Sequence, residues 1–122
     1  MGSGIRAHEQ LQVWQDAMLL VEVIYRFTSN FPADERFGLT AQLRRCAVSV
    51  PSNIAEGAAR ISRAEYLHFL SVARGSLSEA DTQIQLAVRV GLAAEHPDLT
   101  MLLDRVSAKL NALMKALKAK HS

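Results

Sequence analysis

The chain has 122 residues, the size of one domain, and its 49% hydrophobic content with 6% aromatics calls for a core of Leu, Val, Ile, Ala and Met. A net charge of +2 is well short of the strong basic excess of a typical nucleic-acid binder. The single cysteine, Cys46, excludes an internal disulfide, and no apolar run approaches the roughly 20 residues of a membrane span. Without a signal-peptide pattern, the expected location is the cytoplasm.

Gly2-Ser3-Gly4 reads as a cloning remnant, so Met1–Gly4 are set apart and a single domain is expected over residues 5–122. A first helix is predicted from about Glu9 to Ser29. Val13, Ala17, Leu20, Ile24 and Phe27 make one apolar stripe on it, and Leu11, Trp14, Met18, Val21 and Tyr25 make another. Leu19 and Val23 are apolar on the remaining side. A helix apolar nearly all round should be buried nearly all round, so this excess predicts a subunit interface. Asn30–Gly38 is a connection. The second helix is predicted over about Leu39–Arg60, with Leu39, Leu43, Cys46, Val50, Ile54 and Ile61 at helical spacing. Pro51 falls inside it, and a kinked but continuous helix is expected, with Ser49, Ser52 and Asn53 near the freed carbonyls.

Ser62 followed by Glu65 is a capping box that opens the third helix. Tyr66, Leu70, Ala73, Leu77, Ala80, Ile84, Ala87 and Gly91 form its stripe, and the small Ala73, Gly75, Ser76 and Ala80 predict a close neighbour. The fourth helix starts near Pro97. Asp98 lies at the positive end of its dipole, and Lys115, Lys118 and Lys120 lie at the negative end. Leu99, Leu103, Val106, Leu110, Leu113 and Leu117 supply its core. Long helices with short connections predict an all-α, antiparallel up-down-up-down four-helix bundle.

Three groups of residues carry chemistry. Glu65-Tyr66-Leu67-His68 is a single Glu-x-x-His, whereas a di-iron bundle needs two copies and two further glutamates, so no metal or other cofactor is expected. Arg63 and His68 resemble the Arg-x4-His motif of the HEPN ribonucleases, with His68 as general acid/base and Arg63 stabilising charge. Their spacing of five is read as nearly one helical face, and Ala64 departs from the polar residue usual after that arginine. Finally, Arg44, Arg45, Asn53, Glu56 and Arg60 crowd one segment. Glu56 and Arg60 are a favourable i,i+4 pair, Arg44 or Arg45 of a neighbouring chain is an alternative expected partner for Glu56, and Asn53 is expected to bond backbone. These five residues are candidates for a nucleic-acid or subunit interface. Arg36, Arg44, Arg45, Arg60, Arg63 and Arg74 would form a repeated basic band in a ring of subunits. The region lacks aromatic interleaving, so any binding is expected to be indifferent to sequence.

Four stretches in order, VWQDA at Val13–Ala17, FPADERFGL at Phe31–Leu39, QLRRCAVSVPSNIAEG at Gln42–Gly57 and FLSVARGSLSE at Phe69–Glu79, resemble a family of small bacterial four-helix-bundle proteins. These are encoded by intervening sequences in large-subunit ribosomal RNA genes. The resemblance implies a homopentamer; the residues alone imply an oligomer. A related branch, the accessory variability determinants of diversity-generating retroelements, binds a reverse transcriptase and nucleic acid. The expectation is therefore a non-enzymatic scaffold or accessory module for RNA or DNA, with no catalytic residue. A HEPN-like ribonuclease is the alternative, followed by a purely structural assembly.

Overall fold

A computed structural model describes residues 6–119; the Met1–Gly4 segment and Lys120 lie outside them. The described chain is all-helical, with α1 at Gln12–Thr28, α2 at Leu39–Ala58, α3 at Arg63–Arg89 and α4 at Pro97–Ala119. Short 3-10 turns at Ala7–Gln10 and Ala33–Glu35 precede α1 and α2. Among the described residues, no helix is long and apolar enough to cross a membrane.

α1 begins later than predicted. Leu11 is extended (φ −78°, ψ 124°) and separates the first 3-10 turn from the helix. The stripe of Val13, Ala17, Leu20, Ile24 and Phe27 is the buried one, and it joins the core with Leu43, Val50 and Ile54 of α2. From α3 come Leu70, Ala73, Leu77, Ala80, Ile84 and Ala87, and from α4 Leu99, Leu102, Leu103, Val106, Leu110 and Met114. Full burial of one such Leu or Ile contributes about 1.5–3 kcal/mol. Ile61, expected in the α2 stripe, is fully exposed, because α2 ends at Ala58 before the stripe reaches it.

α2 runs unbroken through Pro51, which is buried. The N–H that proline lacks would have reached the carbonyl of Ala47. Ser52 Oγ instead donates to the next carbonyl, Val48 (2.7 Å), and Asn53 Nδ2 donates to the carbonyl of Ser49 (2.9 Å).

Each helix touches two others: α1 packs on α2 and α4, and α3 packs on α2 and α4, most broadly on α2. The breadth of the α2–α3 contact follows from small residues. A Cβ on Gly57 would lie 3.0 Å from Phe69 Cβ and 3.1 Å from the Tyr66 carbonyl oxygen. Buried Ala47, Ala73 and Ala80 line the same core. Gly75, predicted to share in this approach, faces outward with nothing within 4 Å of an added Cβ.

The ends are secured locally. Ser62 Oγ accepts the Glu65 N–H (3.0 Å) at the start of α3. At its end, Leu92 N–H reaches the Ala87 carbonyl and Gly91 N–H the Val88 carbonyl, a Schellman motif that needs the positive φ (+83°) of Gly91. Glu35 Oε1 accepts the Leu39 N–H (3.2 Å) at the start of α2. His96 Nδ1 accepts the Leu99 N–H (3.1 Å) at the start of α4, a cap carried by a residue the sequence reading passed over.

Candidate interaction surfaces

The arginines of the crowded segment divide into tied and free ones. Arg44 Nε donates to Thr28 Oγ1 (2.8 Å), Nη2 donates to the Tyr25 carbonyl (3.3 Å), and the guanidinium lies 4.4 Å from the Tyr25 ring centroid. Thr28 is buried, and its hydroxyl donates in turn to the Ile24 carbonyl (2.8 Å). Arg44 thus places a cation at the C-terminus of α1, where the helix dipole favours it. Arg60 pairs with Glu56 (2.7 Å) and stacks on Phe69 of α3 at 4.8 Å. Asn53 bonds backbone, as expected. Arg45 is exposed and forms no ion pair among the described residues. Of the five candidates, Arg44, Glu56 and Arg60 have partners within the chain, and Arg45 alone presents an uncommitted charge.

The Arg63 and His68 pair does not come together. Five residues of α-helix turn through about 140°, so the two side chains leave on different faces, contrary to the one-face expectation. Arg63 is half-buried, and His68 is exposed with its ring against Phe69 at 5.3 Å. Among the described residues, no three His, Cys, Asp or Glu side chains gather as a metal site would require.

Cys46 sits half-buried between α2 and α3. Burial pushes its thiol pKa above 9.0, and the neighbouring Glu79 carboxylate pushes it further the same way. Gln83 Nε2 lies 3.7 Å from its sulfur, while the buried Gln83 Oε1 has no hydrogen-bond partner among the described residues. A glutamine in this core was missed, because Ala80, Ile84 and Ala87 already satisfy the apolar repeat around it.

Two features of the surface stand out chemically. The first is apolar. Met18, Leu19, Tyr25 and Met101 are exposed at 42%, 39%, 42% and 69%. A groove of about 390 Å³ between α1 and α4 is lined by Leu19, Val23, Met101 and Leu102 together with Arg26, His96, Asp98 and Arg105. The second is basic and aromatic. A groove of about 610 Å³ is lined by Tyr25, Arg36, Arg44, Arg45, Val48 and Ser49. Beside it Phe37 is 87% exposed, with the Arg36 guanidinium 5.4 Å from its ring centroid. The expected lack of aromatics near the arginines is overturned here. Tyr25 comes from α1, and Phe37 lies in the connection that leads into α2.

Comparison with known proteins places the fold. The model of the 23S rRNA-intervening sequence protein family matches residues 9–112. A crystal structure of a protein of unknown function from the S23 ribosomal protein family of Bacteroides thetaiotaomicron VPI-5482 superposes with a TM-score of 0.61 at 20% identity. That match covers 88% of this chain and 95% of the other. No curated protein matches. On the strength of the match over residues 9–112, the chain belongs to the 23S rRNA-intervening sequence protein family.

Proposed function

We propose that the protein is a non-enzymatic, self-associating helical bundle that acts as a scaffold and as an accessory to RNA or DNA. The observation that carries this proposal is the pair of exposed apolar side chains Leu19 on α1 and Met101 on α4, which line one groove with Val23 and Leu102. A monomer gains nothing from two large apolar side chains left partly in water, whereas covering them contributes roughly 25 cal/mol per Å². Five copies are the number implied by the motif resemblance, with the cytoplasm as the setting and a reverse transcriptase as the protein partner to test.

In this proposal the helices run up-down-up-down, with α2 bent at Pro51. Pairings in opposite chain order support the arrangement. Cys46 and Ser49 of α2, and Arg60 just beyond its end, meet Gln83, Ser76 and Phe69 of α3. Asp16 of α1 meets Lys109 and Arg105 of α4, and Phe27 meets His96 just before α4.

Light scattering after gel filtration tests self-association. The expected mass is several times 13.4 kDa. Leu19→Lys with Met101→Lys is expected to return it to one chain while helical circular dichroism is kept. A clean monomer of the unaltered protein at micromolar concentration would sink the proposal. The accessory role draws on Arg36 and Arg45, exposed cations that form no ion pair among the described residues.

A further inference from the structure

We infer that the groove of Tyr25, Arg36 and Arg45, with Phe37 at its side, is a stacking site for single-stranded nucleic acid. This rests on the accessory role proposed above and goes beyond it by naming the strand form and the residues. A duplex hides the faces of its bases in the stack and offers an exposed aromatic ring nothing to stack on, while its phosphates still attract arginine. An unpaired strand offers both phosphates and base faces, and proteins that hold it combine cationic grooves with exposed aromatic rings.

Both elements are present. Phe37 is 87% exposed, and Arg36 spans from its ring to the groove wall. Tyr25 is 42% exposed, and the Arg44 guanidinium is stacked on one side of its ring at 4.4 Å. Arg44 is spent on that task and on the end of α1, which leaves Arg36 and Arg45 to meet phosphate. The acidic neighbour on the same turn, Glu35, has Oε1 engaged by the Leu39 N–H. Asp34 is exposed and is the remaining carboxylate of that turn. The volume of about 610 Å³ lies within the range of about 300–1,000 Å³ that holds nucleotide-sized groups.

The test is fluorescence anisotropy with a labelled oligothymidylate and oligouridylate of roughly 15 nucleotides, beside a duplex of equal length, over a series of salt concentrations. The single strands are expected to bind more tightly than the duplex. Phe37→Ala is expected to weaken single-strand binding by roughly 5- to 150-fold, the loss of one stacked base. Phe37→Tyr keeps the ring and should retain binding, which separates lost stacking from lost folding. Arg36→Ala and Arg45→Ala should each flatten the slope of log affinity against log salt by about 0.7. Light scattering is read on every variant.

Equal affinity for both strand forms, with Phe37→Ala silent, overturns the stacking site and leaves the accessory role standing. No binding of either form at low salt removes the accessory role as well. Dissociation of the oligomer by Phe37→Ala also overturns the site, because Phe37 then belongs to a contact between subunits.

Discussion

A cation is defined by what it has already bound. Arg44 and Arg45 are adjacent and identical in type, yet one is built into the fold and the other is free. Their difference was illegible in the chain, because Thr28 and Tyr25 lie 16 and 19 residues from Arg44. Arg44→Ala is expected to destabilise by about 1–2 kcal/mol in urea unfolding, since a carbonyl and a buried hydroxyl lose a charged donor. Arg44→Lys should recover little, because a point charge cannot both fork and stack. Arg45→Ala should leave stability within about 0.5 kcal/mol. Cys46 gives a second prediction at this scale. Its folded pKa is raised, so its contribution to stability is complete below the unfolded thiol value and is lost as pH rises through it toward the folded one. Tyr66, raised by burial above 10.0, adds to the same alkaline loss. Thermal melts should therefore fall on the alkaline side of about pH 9, less steeply for Cys46→Ala. Alkylation of Cys46 at about pH 8 should be slow in the folded protein and fast in denaturant.

At the level of helices, the stripes were readable because burial imposes a 3.6-residue period on apolar side chains. The α3 stripe from Leu70 to Ala87 is buried as read, and the Pro51 helix continues because Ile54 resumes the pattern. Which of two apolar stripes on α1 faces inward was not readable, since both have the same period. Nor was the identity of the small residue at the tightest contact. Gly57 and Gly75 look alike in sequence, but Gly57 opposes the α3 backbone and Gly75 opposes nothing. They make a matched pair. Gly57→Ala should destabilise by roughly 1–3 kcal/mol through overpacking against Tyr66 and Phe69. Gly75→Ala should stabilise the monomer unit by about 0.5–1 kcal/mol by removing backbone freedom from an open helical position. Chemical denaturation of both variants reads this directly, and equal shifts of one sign would show that the spacing of α2 and α3 is not set at Gly57. Helix ends were legible where the cap is Ser62. They were not legible at His96, because imidazole is a rare N-cap and its use depends on the turn that delivers it.

For the whole molecule, composition and period were enough to read an all-helical protein of four long helices. The surfaces were not readable to the same degree, because exposure is a property of the assembled helices. Leu19 shows this: three apolar directions on α1 said that something must cover it, and the fold leaves it at 39% exposed beside Met101 on α4, some eighty positions away. That outer strip has a thermodynamic consequence. If it is covered only by another copy, part of the free energy of folding is borrowed from mass action. The melting temperature should then climb with protein concentration, as it does not for a self-sufficient domain. The Leu19→Lys, Met101→Lys protein should melt at a lower temperature that no longer varies with dilution. Scanning calorimetry over a hundredfold range of concentration reads both, and a flat response from the unaltered protein would mean that each bundle stands alone. A cell that makes this protein sparingly would, by the same linkage, hold it nearer to unfolding than one that makes it in quantity, so its abundance and its stability rise and fall together.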